Sequence, residues 1–422
     1  MFQNNFYIVQ LFLQVIFYSD DFRITTYYTG INSLALNLLG DSLAIFVNNR
    51  AQYQLGCQSM MIIGSGLMFL QVTNIHLYSF ETDQYYEGTF YLVWLYVTSF
   101  FGGLGYQMCW QGGANYCLNI YNSANIYPKQ KAYQYLVHLD NIGLVLAFVI
   151  IGSASTTQDY ITYPHLVDTF MIVSMASFAL ILSLPRPGYE TQRQIKDHLG
   201  PSVFITEIMK LKWIYFIPVM LVKAIVKSFC YCMAILYLSE GVVSNKDQPL
   251  QFLLYCCSMY GVGKALRSIT IQYKVFFANP CRFIFGSLCM LGLLTAALVL
   301  LVEYEQAIYD YYEDQSRDYW CNICYAIMLF LGISMHATHG LLQSLIARVE
   351  FNQDLTDSID ALTTLFMVPF CYFQALAYHG RDSFRLYLIF TFVFCQVVVL
   401  LQFYCYRAVL IQRQYDYGSI YF

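Results

Sequence analysis

The sequence predicts an all-α membrane protein of about twelve transmembrane helices, arranged as two pseudo-symmetric six-helix halves. Three observations carry the prediction. Only 11% of the 422 residues are charged, against about 25% in an ordinary soluble domain. Another 58% are hydrophobic, and the mean hydropathy is +0.49, so the chain has too few charges to cover a water-facing surface. Apolar runs of roughly 20 residues, the length that crosses a bilayer, recur along the whole chain, and short motifs recur at matching places in its two halves. The net charge of −4 and the lack of a basic block exclude a nucleic-acid partner. The partner that the composition requires is the lipid bilayer.

The spans follow from charged or Pro/Gly breaks. In the first half they are placed at 5–22, 31–49, 58–79, 90–118, 133–154 and 166–184. In the second they are placed at 213–238, 251–272, 282–302, 320–348, 358–378 and 385–410. Asp20, Asp21 and Arg23 interrupt the end of the first, and Asp41 sits inside the second. The longest connection carries Pro185, Arg186, Pro187, Gly188, Arg193, Lys196, Lys210 and Lys212. It divides the chain into a half at 1–185, a connection at 186–212 and a half at 213–422, and residues 203–210 read as a short amphipathic surface helix. Basic residues such as Arg50, Lys129, Lys131, Lys274, Arg282 and Arg348 gather with that connection on one side. The opposite loops are acidic, with Glu81, Asp83, Glu87, Glu303, Glu305 and Asp310. The positive-inside rule then places both termini on the cytosol-like or matrix-like side. The N-terminus lacks a basic region and a small-residue cleavage site, so no signal peptide is expected.

The fourth span ends in 101–122, FGGLGYQMCWQGGANYCLNIYN. Its glycines 102, 103, 105, 112 and 113 leave one flank nearly bare, which lets helix backbones approach closely in a membrane. Asn115, Tyr116, Asn119 and Asn122 give the same helix a polar end. The run Leu104-Gly105-x2-Met108-x4-Gly113 returns in the tenth span as Leu331-Gly332-x2-Met335-x4-Gly340, and Gly40-Asp41-x-Leu43 returns in the eighth as Gly263-Lys264-x-Leu266. Parallel repeats of this kind mark the major facilitator architecture.

Within that superfamily the chain resembles the uncoordinated-ninety-three-like branch, through Gly105-x4-Trp110-x3-Ala114-x-Tyr116 in span 4 and Gly261, Gly263 and Ser268 in span 8. The resemblance covers about 30–400 and implies a family holding regulatory and chaperone-like proteins alongside transporters. The superfamily's loop between spans 2 and 3 usually reads Gly-x3-Asp-Arg-x-Gly-basic-basic. Here Asn48-Asn49-Arg50-Ala51-Gln52-Tyr53-Gln54-Leu55-Gly56 keeps one Arg and one Gly and lacks the acid.

Charges at membrane depth are costly and mark candidate sites. Lys223 and Lys227 lie one helical turn apart in span 7, and Lys264 and Arg267 three apart in span 8. Candidate counter-charges are Asp41, Asp140 and Asp360. Asp140 and Lys264 lie at similar depth, roughly 10–11 Å in from the same side. Since the superfamily's spans 5 and 8 adjoin between the halves, an Asp140–Lys264 ion pair with a gating role is expected. The lysines and Arg267 read either as a cationic cavity for an anionic solute or as structural pairs and snorkelling chains, with Trp110, Asn115 and Tyr116 as further lining candidates. His336 and His339 are polar-interior candidates with no third metal ligand in view, and the Cys321-x2-Cys324 pair lacks a second pair. The remaining cysteines sit in apolar runs as small hydrophobes. No metal, cofactor or enzymatic chemistry is expected, because no nucleophile elbow, phosphate-cradling loop or haem pattern occurs.

Two functions fit. One is a transporter moving a small polar or anionic solute by alternating access. The other is a non-transporting structural or regulatory subunit with protein partners in a larger membrane complex. The degenerate loop and minimal soluble extensions favour the second, and a mitochondrial respiratory assembly would suit the absence of N-x-S/T sequons.

Overall fold

The computed structural model describes residues 27–81, 88–124, 139–150, 163–185, 217–229, 249–270, 321–336 and 353–378, with isolated positions between 286 and 297 and between 386 and 404. Apart from Leu184 and Pro185, every described residue is helical. Helix α1 (Tyr27–Glu81) carries spans 2 and 3, and α2 (Gly88–Ala124) carries span 4. Spans 5, 6 and 7 appear as α3 (Leu139–Ile150), α4 (Tyr163–Ser183) and α5 (Ile217–Ser228). Spans 8, 10 and 11 appear as α6 (Pro249–Thr270), α7 (Cys321–His336) and α8 (Gln353–Tyr378). The expected first span, the 186–212 connection with its surface helix, the acidic loops at 82–87 and 303–318, and His339 lie outside the described residues.

The two arms of α1 are joined at Gly56, whose φ of 79° and ψ of 164° lie in a region essentially open to glycine alone. Without a Cβ the chain can reverse there. Asn37 then donates to Gln71 Oε1 at 3.2 Å across the resulting hairpin. Gly56 is the glycine that the degenerate loop retains, and its backbone conformation explains why that position requires one.

Polarity is distributed in the opposite sense to a water-soluble protein. Ser33, Asn37, Gln71, Asn74, Thr98 and Ser99 are buried, whereas Phe90, Ile172, Met175, Leu180, Phe373 and Leu376 are exposed. Several of the buried polar groups pair inside. Ser33 and Ser99 hydroxyls share a short hydrogen bond, Asn37 also donates to the Ser99 carbonyl at 3.1 Å, and Asn74 donates to Thr98 at 3.1 Å. Polar groups satisfied within the bundle and apolar groups facing outward are what lipid demands. The arms Thr29–Asn48 and Gln54–Asn74 are each long and apolar enough to cross a membrane. With the composition, this makes the chain an integral membrane protein.

Small residues set the helix spacing. A Cβ on Gly40 would collide with the Phe100 carbonyl, and one on Gly103 with the Asn37 carbonyl, so α1 and α2 touch backbone to backbone. The second half repeats the arrangement: a Cβ on Gly263 would meet the Leu329 carbonyl, and one on Gly332 the Tyr260 carbonyl. In each glycine pair the obstructing carbonyl belongs to the residue three before the partner glycine. Gly332 is therefore the counterpart of Gly103, two residues from the Gly105 that the sequence match selects. Gly105 faces Gly64 and Leu67 of the second arm of α1. The correspondence of Gly40-Asp41 with Gly263-Lys264 agrees with the packing.

Among the described residues, the halves meet in two places. Val145 of α3 lies against Gly261 of α6. Helix α8 packs on both α1 and α5.

Candidate functional site

Asp41 of α1, Asp140 of α3, Lys223 and Lys227 of α5, Lys264 of α6 and Asp360 of α8 lie within electrostatic range of one another in a connected chain. Lys223 Nζ lies 2.9 Å from Asp360 Oδ1, joining α5 to α8. The Lys223 side chain is 7% exposed and that of Asp360 31%, so the pair has one dry end and one wetted end. Lys227, one turn further along α5, is within electrostatic range of Lys223, Asp41, Lys264 and Asp360. Lys264 is within range of Asp140 and Lys223. Asp41, Lys227 and Lys264 lie deep in the bundle, ringed by protein, yet each keeps part of its surface accessible.

Asp140 and Lys264 lie on the same side of the Val145–Gly261 crossing, at about 7 and 5 Å from it along their helices. Asp140 Oδ1 is buried with no hydrogen-bond partner, and so is Nδ2 of the neighbouring Asn141. The two residues expected to pair thus act on one another electrostatically, and Lys223–Asp360 is a close ion pair in the same cluster. Asp41 Oδ1 is likewise buried and without a hydrogen-bond partner.

Other candidates lie elsewhere. Tyr116 is buried with Cys57 and Met61, against Ile181 and Leu184, and its hydroxyl donates to the Pro185 carbonyl at 2.8 Å. It lies roughly 20 Å along α2 from Gly103, which abuts the Asp41 backbone. Tyr116 therefore ties span 4 to the end of span 6 inside one half and is not brought to the lysines, because an α-helix cannot curl back over that length. Asn115 is on the same turn, and half-buried Trp110 lies roughly 10 Å from Gly103. His336 is half-buried near the end of α7. Arg267 belongs to α6, but its side chain, like the whole of His339, is outside the described residues.

Sequence reasoning missed a second link between the halves. Tyr372 of α8 donates to Asn32 Oδ1 at 2.7 Å, and Asn32 Nδ2 donates to the Tyr96 hydroxyl at 3.3 Å. These neutral residues sit about 18 Å along α8 from Asp360 and about 14 Å along α1 from Asp41, at the end of α1 remote from Arg50. An uncharged Asn and two Tyr in an apolar chain with 39 tyrosines give no signal that could have singled them out.

No protein-family model matches the chain, and no curated protein matches its sequence. Solved structures do match its shape. The xylose transporter XylE from E. coli, in a partially occluded inward-open conformation, aligns with a TM-score of 0.62 at 12% identity, covering 96% of this chain and 94% of that one. The nucleoside transporter NupG aligns at 0.66 and 11% identity, covering 97% and 99%. A bacterial homologue of the iron transporter ferroportin, in an outward-facing state, aligns at 0.60 and 9% identity, covering 96% and 97%. At such identities these likenesses establish the fold: an all-helical major facilitator fold of two halves.

Proposed function

We propose that the chain is a major facilitator-type transporter that moves a small anionic or polar solute by rocking its two halves about the charge cluster. The observation that carries this reading is the convergence of Lys223, Lys227 and Lys264 with Asp41, Asp140 and Asp360, on helices of both halves, at groups that are deep yet accessible. A cluster kept only for stability would be expected to be dry and closely paired, since buried ion pairs seldom add net stability. Lys227 and Lys264 are assigned to the solute, Asp140 opposite Lys264 to gating, and Lys223 to holding Asp360. Arg267 remains a candidate from its place three residues beyond Lys264. The fold shared with the xylose, nucleoside and iron carriers supports the transport reading. The Gly105-x4-Trp110-x3-Ala114-x-Tyr116 pattern supports the uncoordinated-ninety-three-like branch.

The test is uptake of a panel of labelled carboxylates and inorganic phosphate into liposomes holding the purified protein. Flux of one of them, lost in Lys227→Ala and kept in Lys227→Arg, is the expected result. Equal flux in wild type and Lys227→Ala would overturn the assignment, and no flux for any anion would overturn transport of anions.

A further inference from the structure

Two unmet polar atoms stand where α3 of one half touches α6 of the other. A Cβ on Gly261 would lie 3.1 Å from Val145 Cγ2, so the two helices are in contact there. Asn141 precedes Val145 by one turn, about 6 Å, and so shares the face of α3 that meets α6. Asn141, Leu144 and Phe148, all buried, trace that inward side. Lys264 follows Gly261 by one turn, about 4.5 Å, and so shares the face of α6 that meets α3. These helices are an odd and an even span and run in opposite senses. Asn141 and Lys264 therefore lie on the same side of the contact and nearly level. Asp140, the neighbour of Asn141, acts electrostatically on Lys264.

The chemistry of the three side chains selects an occupant. Asn141 is 3% exposed, and among the described residues its Nδ2 has no hydrogen-bond partner. Asp140 Oδ1 is buried without one too. Unmet polar atoms inside a helix bundle are costly and call for a further molecule. Lys264 and Asn141 offer donors, and Asp140 offers an acceptor. A plain carboxylate would satisfy the donors but stand against Asp140 and leave its oxygen unmet. An amine would satisfy Asp140 but stand against Lys264. A carboxylate joined to an ammonium meets all three, and it adds no net charge where one lysine and one aspartate already cancel. Of the other lysines in range of Lys264, Lys223 is held at 2.9 Å by Asp360, and Lys227 has Asp41 and Asp360 within range. Asp140 and Lys264 each keep part of their surface accessible, which leaves a way in.

We propose that Asp140, Asn141 and Lys264 form a subsite for the zwitterionic end of an α-amino acid, with the carboxylate on Lys264 and Asn141 Nδ2 and the ammonium on Asp140 Oδ1. The subsite names a solute class for the transporter proposed above and rests on that reading for carriage across the membrane, whereas binding does not. Asp140 belongs to the first half and Lys264 to the second, so a bound amino acid bridges the two, in keeping with Asp140 at the gate.

The experiment is binding to the purified full chain in detergent, read as the shift of its thermal unfolding midpoint, with each common amino acid in turn as probe. At least one is expected to bind. Its analogue without the ammonium and its analogue without the carboxylate are each expected to bind on the order of tenfold to a hundredfold more weakly, as the loss of a charged hydrogen bond predicts. In Asp140→Asn the preference over the ammonium-free carboxylate is expected to disappear. In Asn141→Leu affinity is expected to fall while that preference remains. No binding by any amino acid, which would leave water as the occupant, overturns the proposal. So does an analogue that binds as tightly as its parent, or a preference that survives in Asp140→Asn. If Asp140→Asn does not fold, the selectivity of the wild type against the two analogues decides. An amino acid bound with this selectivity yet not carried into liposomes would sink the transport reading and leave the subsite standing. Flux of phosphate or a plain carboxylate, with no amino acid bound, would keep transport and overturn the subsite.

Discussion

Removing the Asp360 carboxylate should destabilise the fold more than removing the Lys223 ammonium, and removing both should cost less than removing Asp360 alone. The asymmetry follows from the geometry. The pair is 2.9 Å apart, with Lys223 7% exposed and Asp360 31%. At an effective dielectric of about 20 the gross attraction is about 6 kcal/mol, most of it offset by the desolvation of both groups. Asp360→Ala leaves Lys223 charged and dry, beside Lys227 and Lys264 and within reach of fewer carboxylates. Breaking a buried pair in this sense costs about 3–5 kcal/mol. The wetted end of Asp360 argues for the lower figure. Lys223→Met leaves a carboxylate that water still reaches and near which Lys227 remains, so about 1–2 kcal/mol is expected, close to the cost of a charged hydrogen bond. In Lys223→Met/Asp360→Ala no dry charge is stranded, and the coupling between the two sites should be about 2 kcal/mol. The assay is reversible unfolding in mixed micelles across the four proteins. Single-variant costs that add in the double variant would refute the reasoning, as would a costlier Lys223→Met.

Two further outcomes follow from the helix contacts. Gly103→Val drives a side chain into the Asn37 carbonyl, and Gly332→Val into that of Tyr260, so both should cost several kcal/mol, of the order of overpacking a core at about 1–3 kcal/mol or more; Gly66→Ala, with only the Phe178 ring at 3.7 Å, should be nearly silent in the same unfolding assay. Tyr372→Phe removes the donor to Asn32 and with it the polar link between α8 and α1, a loss of about 1 kcal/mol; labelling of the adjacent buried thiol Cys371, followed by peptide mass spectrometry, should quicken several-fold in that variant, and unchanged labelling would mean that the link does not hold the halves together.

Much of the architecture was legible because membranes constrain composition and length strongly. The scarcity of charge, the recurring apolar runs and the glycine-rich fourth span are one-dimensional consequences of a lipid solvent. The depth of Lys223, Lys227 and Lys264 could be counted from span ends, and their convergence with Asp41 and Asp140 follows once the helices are bundled. The two-residue slip in the repeat, Gly103 rather than Gly105 as the counterpart of Gly332, shows where counting fails: a run with glycines at 102, 103 and 105 offers several registers, and only backbone contact with Gly40 chooses among them.

The sequence by itself determined that this chain lives in a bilayer, that its helices pack through small residues, and that its interior holds cations needing compensation. Tertiary structure decided which carboxylate reaches which lysine, with Asp360 taking Lys223 and Asp41 left facing Lys227. It also moved Tyr116 out of the site and into a tether on Pro185, and it disclosed the Tyr372–Asn32–Tyr96 link. The reason is range. Solvent preference acts on each residue where it stands along the chain, whereas an ion pair or hydrogen bond between residues over a hundred positions apart depends on how the helices are rotated and tilted against one another. Packing of the whole bundle sets those angles, and Gly40, Gly103, Gly263 and Gly332 fix them here by the closeness that they permit.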